Sequence, residues 1–392
     1  MTYISGMQKT ARVAIIADWL TNRGGAEHVI EALAEMFPQA VVFTSVYSPE
    51  VFPALKYREV RTSFLQKLPK CLRKKHQFLL PWLAKAFQKL DLSEFDVIIS
   101  SSSAFSKCVQ KTRPEQVHVC YCHSPTRYLY HAKDEYLTQY KLPWWAKPGK
   151  LILPKLLNYL KKIDRLAAHN VDYFISNSDY IGKRIEKYYG RPSETIYPGI
   201  NCSTFTRSPL CPAKKSGHLP HKGGEKVGDY FLAVGRFIPY KKMDLLVKTF
   251  KENKLKLKLA GIGPELERCK QLASGADNIE FLGFVENNDL PDLYAEARAF
   301  LFPAEEDFGL TPIEAMASGC PVIYYAKGGA CESVGDQGFG FESQTKDSLQ
   351  KILKTFMKKE RAIERKKLLA HAQDFDKSVF QKNIEEYIMK IT

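Results

Sequence analysis

The sequence lacks any run of about 18 consecutive apolar residues, the length that a membrane-spanning helix needs. The nearest candidate, residues 78–87, is interrupted by Pro81 and Lys85. The sequence also lacks a signal-peptide core, because the first apolar segment, residues 13–17, is too short and leads directly into Asp18. These absences exclude an integral membrane protein and predict a cytoplasmic location.

The nine cysteines have neither an even count nor the C-x-x-C spacing of redox and zinc sites. Their only close pair is Cys120-x-Cys122. A G-x-G-x-x-G fingerprint is missing at the glycine turn Gly24-Gly25, which argues against a dinucleotide-dependent oxidoreductase. We therefore predict reduced thiols.

Acidic residues are comparatively few, because 43 Asp and Glu stand against 58 Lys and Arg and leave a net charge of +15. Such an excess attracts a polyanion, which leaves open nucleic acid, an anionic lipid surface and a phosphorylated substrate. The chain has no recognisable nucleic-acid-binding module, so we predict that nucleic acid is not a partner.

The sequence does contain an alternation of short apolar strands with helical segments, and this alternation occurs twice. The predicted strands are residues 13–17, 41–44, 97–100, 117–121 and 173–176, and then 230–234, 257–260, 279–282, 299–302 and 322–324. Such alternation predicts parallel sheets covered by helices on both faces. With 392 residues, the chain is long enough for two such domains.

The composition changes between the two halves. Residues 206–229 are rich in Pro, Gly and Lys and poor in large apolar residues, which predicts a linker or an exposed loop. We therefore predict an N-terminal domain over 1–205 and a C-terminal domain over 230–377. An amphipathic helix over 378–392 is predicted to pack back on the N-terminal domain.

A stretch that runs from Phe302 to Val322 predicts a strand end, a loop, a short helix and the next strand. Thr311 suits the N-cap of this helix, Pro312 its first position and Gly319 its stop. Its N-terminus exposes backbone amides and the positive end of the helix dipole, an arrangement suited to phosphate.

Two carboxylates of this stretch, Glu306 and Glu314, are candidates for the chemistry. A purely local role is also open for each. The spacing Thr311-x-x-Glu314 is that of a capping box, in which the glutamate only satisfies a backbone amide. Glu306 lies in the run Glu305-Glu306-Asp307, which is also compatible with a solvated acidic loop.

The pattern Glu306-x7-Glu314, with Phe308-Gly309 inside it and Glu-Ala-Met-Ala-Ser-Gly-Cys-Pro-Val from Glu314 onward, resembles the retaining GT-B glycosyltransferases of family four, also called glycosyl transferases group 1. The resemblance extends over nearly the whole chain. It implies an α/β fold of the GT-B type, with two doubly wound Rossmann-like domains facing an interdomain cleft. It also implies a nucleotide sugar as co-substrate and no bound cofactor.

The resemblance assigns roles within this stretch. Glu306 is implied to be catalytic and to face the donor sugar, and Glu314 is implied to bind the nucleotide ribose. Gly309, Leu310 and Thr311 at the helix start are implied to bind the donor diphosphate.

A second motif, Gly235-Arg236 followed by Lys241-Lys242, comes after the predicted strand 230–234. Fixed cations can stabilise the negative charge of a departing diphosphate, which is work often given to a metal ion. The family's Gly-Arg...Lys signature implies this role for Arg236 and Lys241, although most family members have glycine at the position of Lys242. The motif is also compatible with an exposed basic loop. Because no Asp-x-Asp loop follows a predicted strand of this domain, we predict that no metal is required.

Further residues receive roles from the same resemblance. Gly261 and Gly263, and Phe284 with Val285, are implied to surround the nucleotide base, although a strand-ending turn also favours glycine.

In the first half, the turn between strand and helix resembles the family's glycine loop. Gly25 is thereby assigned to the donor diphosphate, and Gly24 and Glu27 are assigned to the acceptor side.

The segment His123-Ser-Pro-Thr-Arg127-Tyr128 follows a predicted strand. A lone histidine is more often structural, but the family has one here near the donor sugar, which implies a catalytic role for His123 and places Arg127 and Tyr128 on the acceptor side. The extended motif resembles the mannosyltransferases of bacterial O-antigen, capsule and exopolysaccharide synthesis. This resemblance implies GDP-mannose as donor and a lipid-linked or oligosaccharide acceptor. Three competing hypotheses remain open. The chain could use a UDP-sugar donor, it could be another GT-B enzyme such as an epimerase or phosphorylase, or it could be a nucleic-acid-binding protein.

Two basic segments, residues 66–90 and 141–162, combine lysines with Leu, Phe and Trp. This combination suits peripheral attachment to an anionic membrane surface, here the cytoplasmic face of the inner membrane. The same segments are also compatible with a solvated basic face.

Overall fold

The computed structural model describes residues 11–22, 24–73, 79–130, 149–206, 219–220 and 226–391. The chain forms two compact units, one of Met1–Pro198 with Phe380–Thr392 and one of Gly199–Val379. Most of the predicted linker, 207–218 and 221–225, lies outside the described residues.

The units divide after Pro198 and not after residue 205. The segment 199–205 goes with the second unit because Ile200 is tied to it on both sides. Its amide donates to Phe375 O at 3.0 Å, and its carbonyl accepts from Lys377 N at 2.7 Å.

The strands of the described chain are numbered in order. They are β1 (Val13–Ala17), β2 (Val41–Thr44), β3 (Val60–Thr62), β4 (Val97–Ser102), β5 (Val117–Cys122), β6 (Tyr173–Ser176), β7 (Glu194–Thr195), β8 (Leu219–Pro220), β9 (Lys226–Val227), β10 (Tyr230–Val234), β11 (Lys256–Ala260), β12 (Ile279–Gly283), β13 (Ala299–Phe302), β14 (Val322–Tyr325) and β15 (Phe339–Phe341).

The α-helices are numbered in the same way. They are α1 (Gly25–Met36), α2 (Lys70–Arg73), α3 (Leu80–Gln88), α4 (Gly149–Asn170), α5 (Asp179–Tyr189), α6 (Cys202–Phe205), α7 (Met243–Asn253), α8 (Leu266–Leu272), α9 (Leu290–Glu296), α10 (Leu310–Ala317), α11 (Ala330–Val334), α12 (Lys346–Lys359), α13 (Arg365–Gln373) and α14 (Lys377–Ile391). Within the described residues, none of these helices is both long and apolar enough to span a membrane.

The first unit contains a seven-stranded parallel sheet with the order β3-β2-β1-β4-β5-β6-β7. The five strands that the apolar runs predict are all present, and this prediction is confirmed. The sequence does not reveal β3 and β7, because these short edge strands contain no buried residue and therefore no apolar run.

Helices cover both faces of this sheet. On one face, Val29 and Leu33 of α1 share a core with β1 and with the C-terminal helix α14. On the other, Leu83 and Phe87 of α3 pack in a core with Leu160 of α4. The C-terminal helix enters the first core because Phe380, Ile384 and Ile388 are spaced by one helical turn and are all buried there.

The second unit contains a six-stranded parallel sheet with the order β12-β11-β10-β13-β14-β15. Its first strand, β10, lies inside the sheet, so the chain winds outward on both sides as in doubly wound folds. The five strands predicted for this half are confirmed, and the edge strand β15 is an addition. A short antiparallel pair, β8 with β9, precedes this sheet.

The start of α10 differs from the prediction. The N-cap is Gly309 and not Thr311, so the capping box with Glu314 does not form. Gly309 adopts φ 94°, which glycine tolerates, and the helix therefore begins at Leu310. Pro312 then stands in the first turn, where no intrahelical hydrogen bond is lost. The predicted stop is confirmed, since Gly319 follows the helix with φ 73°.

Candidate functional site

Three loops of the second unit follow β10, β11 and β13 at the carboxyl edge of its sheet. Parallel strands all end at the same edge, so loops after neighbouring strands lie side by side. Backbone hydrogen bonds join the first two loops. Gly235 N donates to Ala260 O at 2.9 Å, and Phe237 N donates to Ile262 O at 2.9 Å.

The glycines of these loops permit a very close backbone approach. A Cβ atom on Gly261 would lie 1.9 Å from Gly235 O, and one on Gly263 would lie 2.4 Å from Phe237 O. Loop packing alone therefore requires glycine at both positions. Their role around the nucleotide base stays a prediction. The same holds for Val285 and for Phe284, although the Phe284 side chain is 64% exposed and available to a ligand.

Lys241 and Glu306 form an ion pair between the loops that follow β10 and β13. Their side chains are only 14% and 16% exposed, so the pair is largely withdrawn from water. This contact contradicts the interpretations of Glu306 as part of a solvated acidic loop and of Lys241 as part of an exposed basic loop. The structure thus brings Lys241, which is predicted to bind the diphosphate, into direct contact with Glu306, which is predicted to face the sugar.

The backbone of Glu306 is held by the turn that follows β14. Gly329 N donates to Glu306 O at 2.8 Å, and Gly328 pairs with Glu306 as an isolated parallel bridge. A Cβ atom on Gly328, which has φ 82°, would lie 2.5 Å from Glu306 O. Glu306 is therefore a fixed carboxylate on a loop, which suits a residue that must face a reacting centre.

The two neighbouring lysines have different environments. Lys241 ends the 3₁₀ turn Pro239–Lys241, whereas Lys242 adopts the left-handed conformation with φ 54°. A left-handed position favours glycine, which gives a physical reason for glycine at this position in related sequences. Of the two, Lys241 is the lysine whose charge meets Glu306.

Arg236 lies in the same loop as Lys241, and its side chain is exposed. Within the described residues, its guanidinium makes no hydrogen bond or ion pair. An unengaged guanidinium beside a fixed lysine is a suitable receptor for the two phosphates of a nucleoside diphosphate.

Glu314 lies in the first turns of α10, where Gly309, Leu310 and Thr311 precede it. Its Oε2 accepts a hydrogen bond from the Tyr294 hydroxyl at 3.0 Å. Burial raises the pKa of Glu314 to about 7, while Tyr294 and the charge of Lys241 act in the opposite direction. The capping-box interpretation is wrong, and the Glu314 carboxyl does not cap the helix.

His123 lies at the end of β5 in the first unit and is 8% exposed. Ser101 Oγ is 2.7 Å from its Nε2, and Asn177 Nδ2 donates to its carbonyl at 3.2 Å. The ring also packs edge-on against Tyr121, with 5.1 Å between ring centres. His123 is thus held in one orientation, whereas its catalytic role is not tested by these contacts.

The other predicted residues of the first unit have unequal environments. Gly24 and Gly25 are exposed at the start of α1, and Glu27 stands in its first turn. Arg127 is partly exposed in a 3₁₀ turn. Tyr128 is 8% exposed, and its side chain packs in the core of the first unit. The acceptor-side roles stay predictions.

Asp18, which directly follows β1, is a residue that the sequence motifs do not reveal. Both of its carboxylate oxygens accept backbone amides from the turn after β4, at 2.6 to 2.8 Å. The four donors are the amides of Ser103, Ala104, Phe105 and Ser106. Burial raises the pKa of Asp18, and these amides oppose the shift. Its position at the carboxyl end of the first strand is the signal that could have found it.

The sequence analysis also missed a fully buried ion pair, Lys107 with Asp164 of α4, at 2.6 Å. Lys107 Nζ donates to Ala104 O at 2.5 Å and to Thr126 Oγ1 at 3.2 Å. Thr126 in turn donates to Asp164 at 2.7 Å. Burial disfavours the charged form of Lys107, but the neighbouring Asp164 carboxylate outweighs this effect and raises the pKa of Lys107 above its usual value. The pair joins the turn after β4, the His123 loop and α4.

Two known family descriptions match this chain. Glycosyltransferase Family 4 matches residues 23–204, and glycosyl transferases group 1 matches residues 220–375. The chain therefore contains a Glycosyltransferase Family 4 domain followed by a glycosyl transferases group 1 domain. The Asp18 and His123 loops lie in or beside the first match, and the Lys241, Glu306 and Glu314 positions all lie in the second.

Curated relatives of this chain include two mannosyltransferases. The GDP-mannose-dependent monoacylated alpha-(1-6)-phosphatidylinositol monomannoside mannosyltransferase of Corynebacterium glutamicum is 28% identical over 222 residues, which are 52% of this chain and 57% of the relative. The O-antigen chain mannosyltransferase B of Escherichia coli is 28% identical over 209 residues, 49% and 53% of the two chains. This chain therefore spans about half the length of these relatives.

Solved structures show the same fold over the whole chain. HepE from Anabaena, in complex with UDP and glucose, has a TM-score of 0.70 at 20% identity and covers 97% of this chain and 100% of its own. Sucrose-phosphate synthase from Thermosynechococcus elongatus has a TM-score of 0.71 at 19% identity, with 97% and 99% covered. The fold of this chain is therefore that of the GT-B glycosyltransferases.

In the part of the chain that the structure describes, no group of three or more His, Cys, Asp and Glu side chains could hold a metal ion. Metal independence stays a prediction.

Proposed function

We propose that this chain is a retaining glycosyltransferase that transfers mannose from GDP-mannose to a lipid-linked glycan in bacterial surface polysaccharide synthesis. The observation that carries the proposal is the ion pair of Lys241 with Glu306 beside the unengaged Arg236. It supports a site in which two cations suit a diphosphate and one carboxylate suits a sugar. The names of the Corynebacterium and Escherichia relatives support mannose as the transferred sugar.

The residues support a division of labour. Arg236 and Lys241 would hold the donor diphosphate and stabilise its charge as it leaves. Glu306 would bind the sugar, and Glu314 would bind the ribose. No protein nucleophile is evident for a double displacement, so the leaving phosphate would assist deprotonation of the incoming hydroxyl on the same face of the sugar.

The donor is tested by thermal shift with GDP-mannose, GDP, UDP-glucose and UDP. We expect GDP-mannose to raise the melting temperature most, because only a ligand that binds the folded state stabilises it. A larger shift with UDP-glucose would indicate a UDP-sugar donor and contradict mannose transfer. Product analysis without acceptor tests for an epimerase, which converts the donor on its own, and for a phosphorylase, which requires phosphate.

Metal independence is tested on the same reaction. We expect transfer to persist in EDTA, because Arg236 and Lys241 supply the positive charge. Activity that is lost in EDTA and restored by Mn²⁺ would contradict this part of the proposal.

We also propose that an anionic membrane surface is a partner. Three large apolar side chains are exposed in or directly beside the basic segment 66–90, namely Phe64 (42%), Leu72 (42%) and Trp82 (52%). Lys89 lies over the Phe64 ring at 5.9 Å from its centre. Exposed aromatics among lysines suit the interface of an anionic bilayer, where each cation contributes about 1 kcal/mol.

This partner is tested with vesicles that contain phosphatidylglycerol. Neutralising Lys70, Arg73, Lys74 and Lys75 should release the protein from the vesicles and leave donor binding unchanged. Lys74 and Lys75 lie outside the described residues. Wild-type vesicle binding by the variant, at low and high salt alike, would show that the segment is only a solvated basic face.

A further inference from the structure

Tyr294 is a fully buried tyrosine on α9, and its hydroxyl donates to Glu314 Oε2 at 3.0 Å. Its ring is held edge-on by Phe300 of β13, at 5.4 Å between centres, and by Phe205 of α6, at 6.2 Å. Because three elements fix this ring, the hydroxyl has one place to donate. Glu314 is the acceptor, and the sequence analysis assigned no role to Tyr294.

The hydrogen bond engages one oxygen of the Glu314 carboxyl and leaves the other, Oε1, available. A ribose presents two neighbouring hydroxyl groups. An ionised carboxylate in the correct orientation can accept hydrogen bonds from them. We propose that Tyr294 is a positioning residue that fixes Glu314 for recognition of the ribose hydroxyls of the donor nucleotide. This inference rests on the proposed function, in which Glu314 binds that ribose.

The electrostatics of the pair agree with this geometry. Burial raises the pKa of Glu314 to about 7, so near neutral pH a small change in its surroundings alters the ionised fraction. The hydroxyl of Tyr294 favours the ionised form by donating to it. Burial and the nearby Glu314 also raise the pKa of Tyr294, so the phenol stays protonated and remains a donor.

Other ionisable groups lie on the elements packed against α10, yet Tyr294 and Lys241 are the two that act on the carboxyl of Glu314. The others are Asp292 and Glu296 on α9, Cys202 on α6, Tyr324 and Tyr325 on β14, Cys331 and Glu332 on α11, and Arg365, Lys366, Lys367 and His371 on α13. Several of these have partners of their own. His371 Nε2 is 2.9 Å from Ser333 O, and Lys367 pairs with Glu364 at 2.8 Å.

The test is the variant Tyr294→Phe, which removes the hydroxyl and keeps the ring. We expect the KM for GDP-mannose to rise about tenfold, as loss of a hydrogen bond to a charged group predicts, with kcat nearly unchanged. Without the hydroxyl the pKa of Glu314 rises further. The KM defect should therefore be larger at about pH 6 than at about pH 8.5, where the carboxyl is ionised in both proteins.

A binding measurement separates positioning from packing. Wild-type protein should bind GDP more tightly than 2′-deoxy-GDP by about tenfold, because the deoxy analogue leaves the carboxylate without one donor. In Tyr294→Phe this preference should shrink to about twofold or less. A purely structural role would weaken both ligands equally and would leave their ratio unchanged.

The matched control is Tyr230→Phe. Tyr230 is also buried, and its hydroxyl donates to the carbonyl of Leu293, the residue before Tyr294, at 2.9 Å. This control removes a hydrogen bond to the same helix without touching Glu314. We expect it to keep the wild-type ratio of GDP to 2′-deoxy-GDP affinity, and an equal loss of that ratio in both variants would overturn the inference.

The variant Glu314→Gln distinguishes failure of the inference from failure of the proposed function. If Glu314→Gln abolishes the preference for GDP and Tyr294→Phe retains it, Glu314 binds ribose without help, and only the positioning role is refuted. If neither variant changes the preference, the ribose-binding role of Glu314 in the proposed function is refuted as well.

Discussion

The loops at the carboxyl edges of the two sheets use charge in opposite ways. In the first unit, Asp18 is surrounded by four amides, and Lys107 and Asp164 are fully buried against each other. In the second unit, the side chains of the pair Lys241 and Glu306 keep 14% and 16% exposure, and Arg236 is exposed. The first set of charges has internal partners that no ligand can replace. We expect the second set to exchange its partners for a ligand.

This difference has an energetic basis. A buried ion pair recovers its desolvation cost only with excellent geometry and further hydrogen bonds, and Lys107 has both through Ala104 and Thr126. Such a network fixes the loops that carry His123 and Arg127. The partly exposed pair of Lys241 and Glu306 has a smaller desolvation cost to recover, so a diphosphate can compete with Glu306 for the lysine.

The largest expected effect comes from breaking the buried pair. Lys107→Met leaves the Asp164 carboxylate buried without its cation, which should lower the free energy of unfolding by about 3 to 5 kcal/mol. Replacing both partners, as in Lys107→Met with Asp164→Leu, should recover a large part of this loss. Urea unfolding measures both. A double variant as unstable as the single one would show that the hydrogen bonds to Ala104 and Thr126, and not the charges, stabilise these loops.

The sequence predicts most of the fold and part of the site. Every strand with a buried apolar run is predicted, whereas the edge strands β3, β7 and β15 are missed. The motif at Glu306 and Glu314 is found because its spacing is local. The pair of Lys107 and Asp164 is missed because these residues are 57 positions apart and meet only through tertiary packing.

Thr311 shows why a local pattern is not sufficient. A capping box needs the helix to begin at the residue after its cap, and that depends on the backbone of the preceding loop. Gly309 adopts a left-handed conformation and starts the helix two residues earlier than the Thr311 cap requires. Tertiary contacts then direct Glu314 to Tyr294, which no local spacing predicts.

The second expected effect concerns the exchangeable pair. Glu306→Gln should lower mannose transfer by roughly 100-fold or more, because the group that we propose to face the reacting centre loses its charge. The same change should strengthen binding of GDP, since Lys241 no longer has a competing anion. Transfer assays and calorimetry with GDP measure the two signs separately.

The stability of Glu306→Gln should remain within about 1 kcal/mol of wild type, as for other partly exposed ion pairs. Weaker GDP binding by this variant would mean that Glu306 orients Lys241 toward the phosphates and does not compete with them. Near-wild-type transfer would remove Glu306 from the site.

The smallest expected effect is on the pH dependence of stability, where one group from each unit gives an opposite sign. Burial lowers the pKa of His118 in β5 to about 4, and its Nε2 lies 2.8 Å from Ser100 Oγ. As pH falls from about 6.5 to about 4, the unfolded chain binds a proton at His118 that the folded protein does not, so His118 lowers stability in that window.

Glu314, with its pKa raised to about 7, has the opposite effect on stability. As pH rises from about 4.5 to about 7, the unfolded chain releases the Glu314 proton first, so the folded state loses stability.

Variants separate the two contributions. Urea midpoints measured between about pH 4.5 and about pH 8 should rise with pH less steeply in His118→Gln than in wild type. In Glu314→Gln they should gain, relative to wild type, up to about 2 kcal/mol toward the alkaline end. A Glu314→Gln profile parallel to wild type would show that the Glu314 carboxyl ionises in the folded protein as it does in water. Tyr294 would then have no carboxyl with a shifted pKa to stabilise. The contrast between the charges of the first unit, which have internal partners, and those of the second unit, which we expect to bind a ligand, would then rest on Lys241 and Arg236 alone.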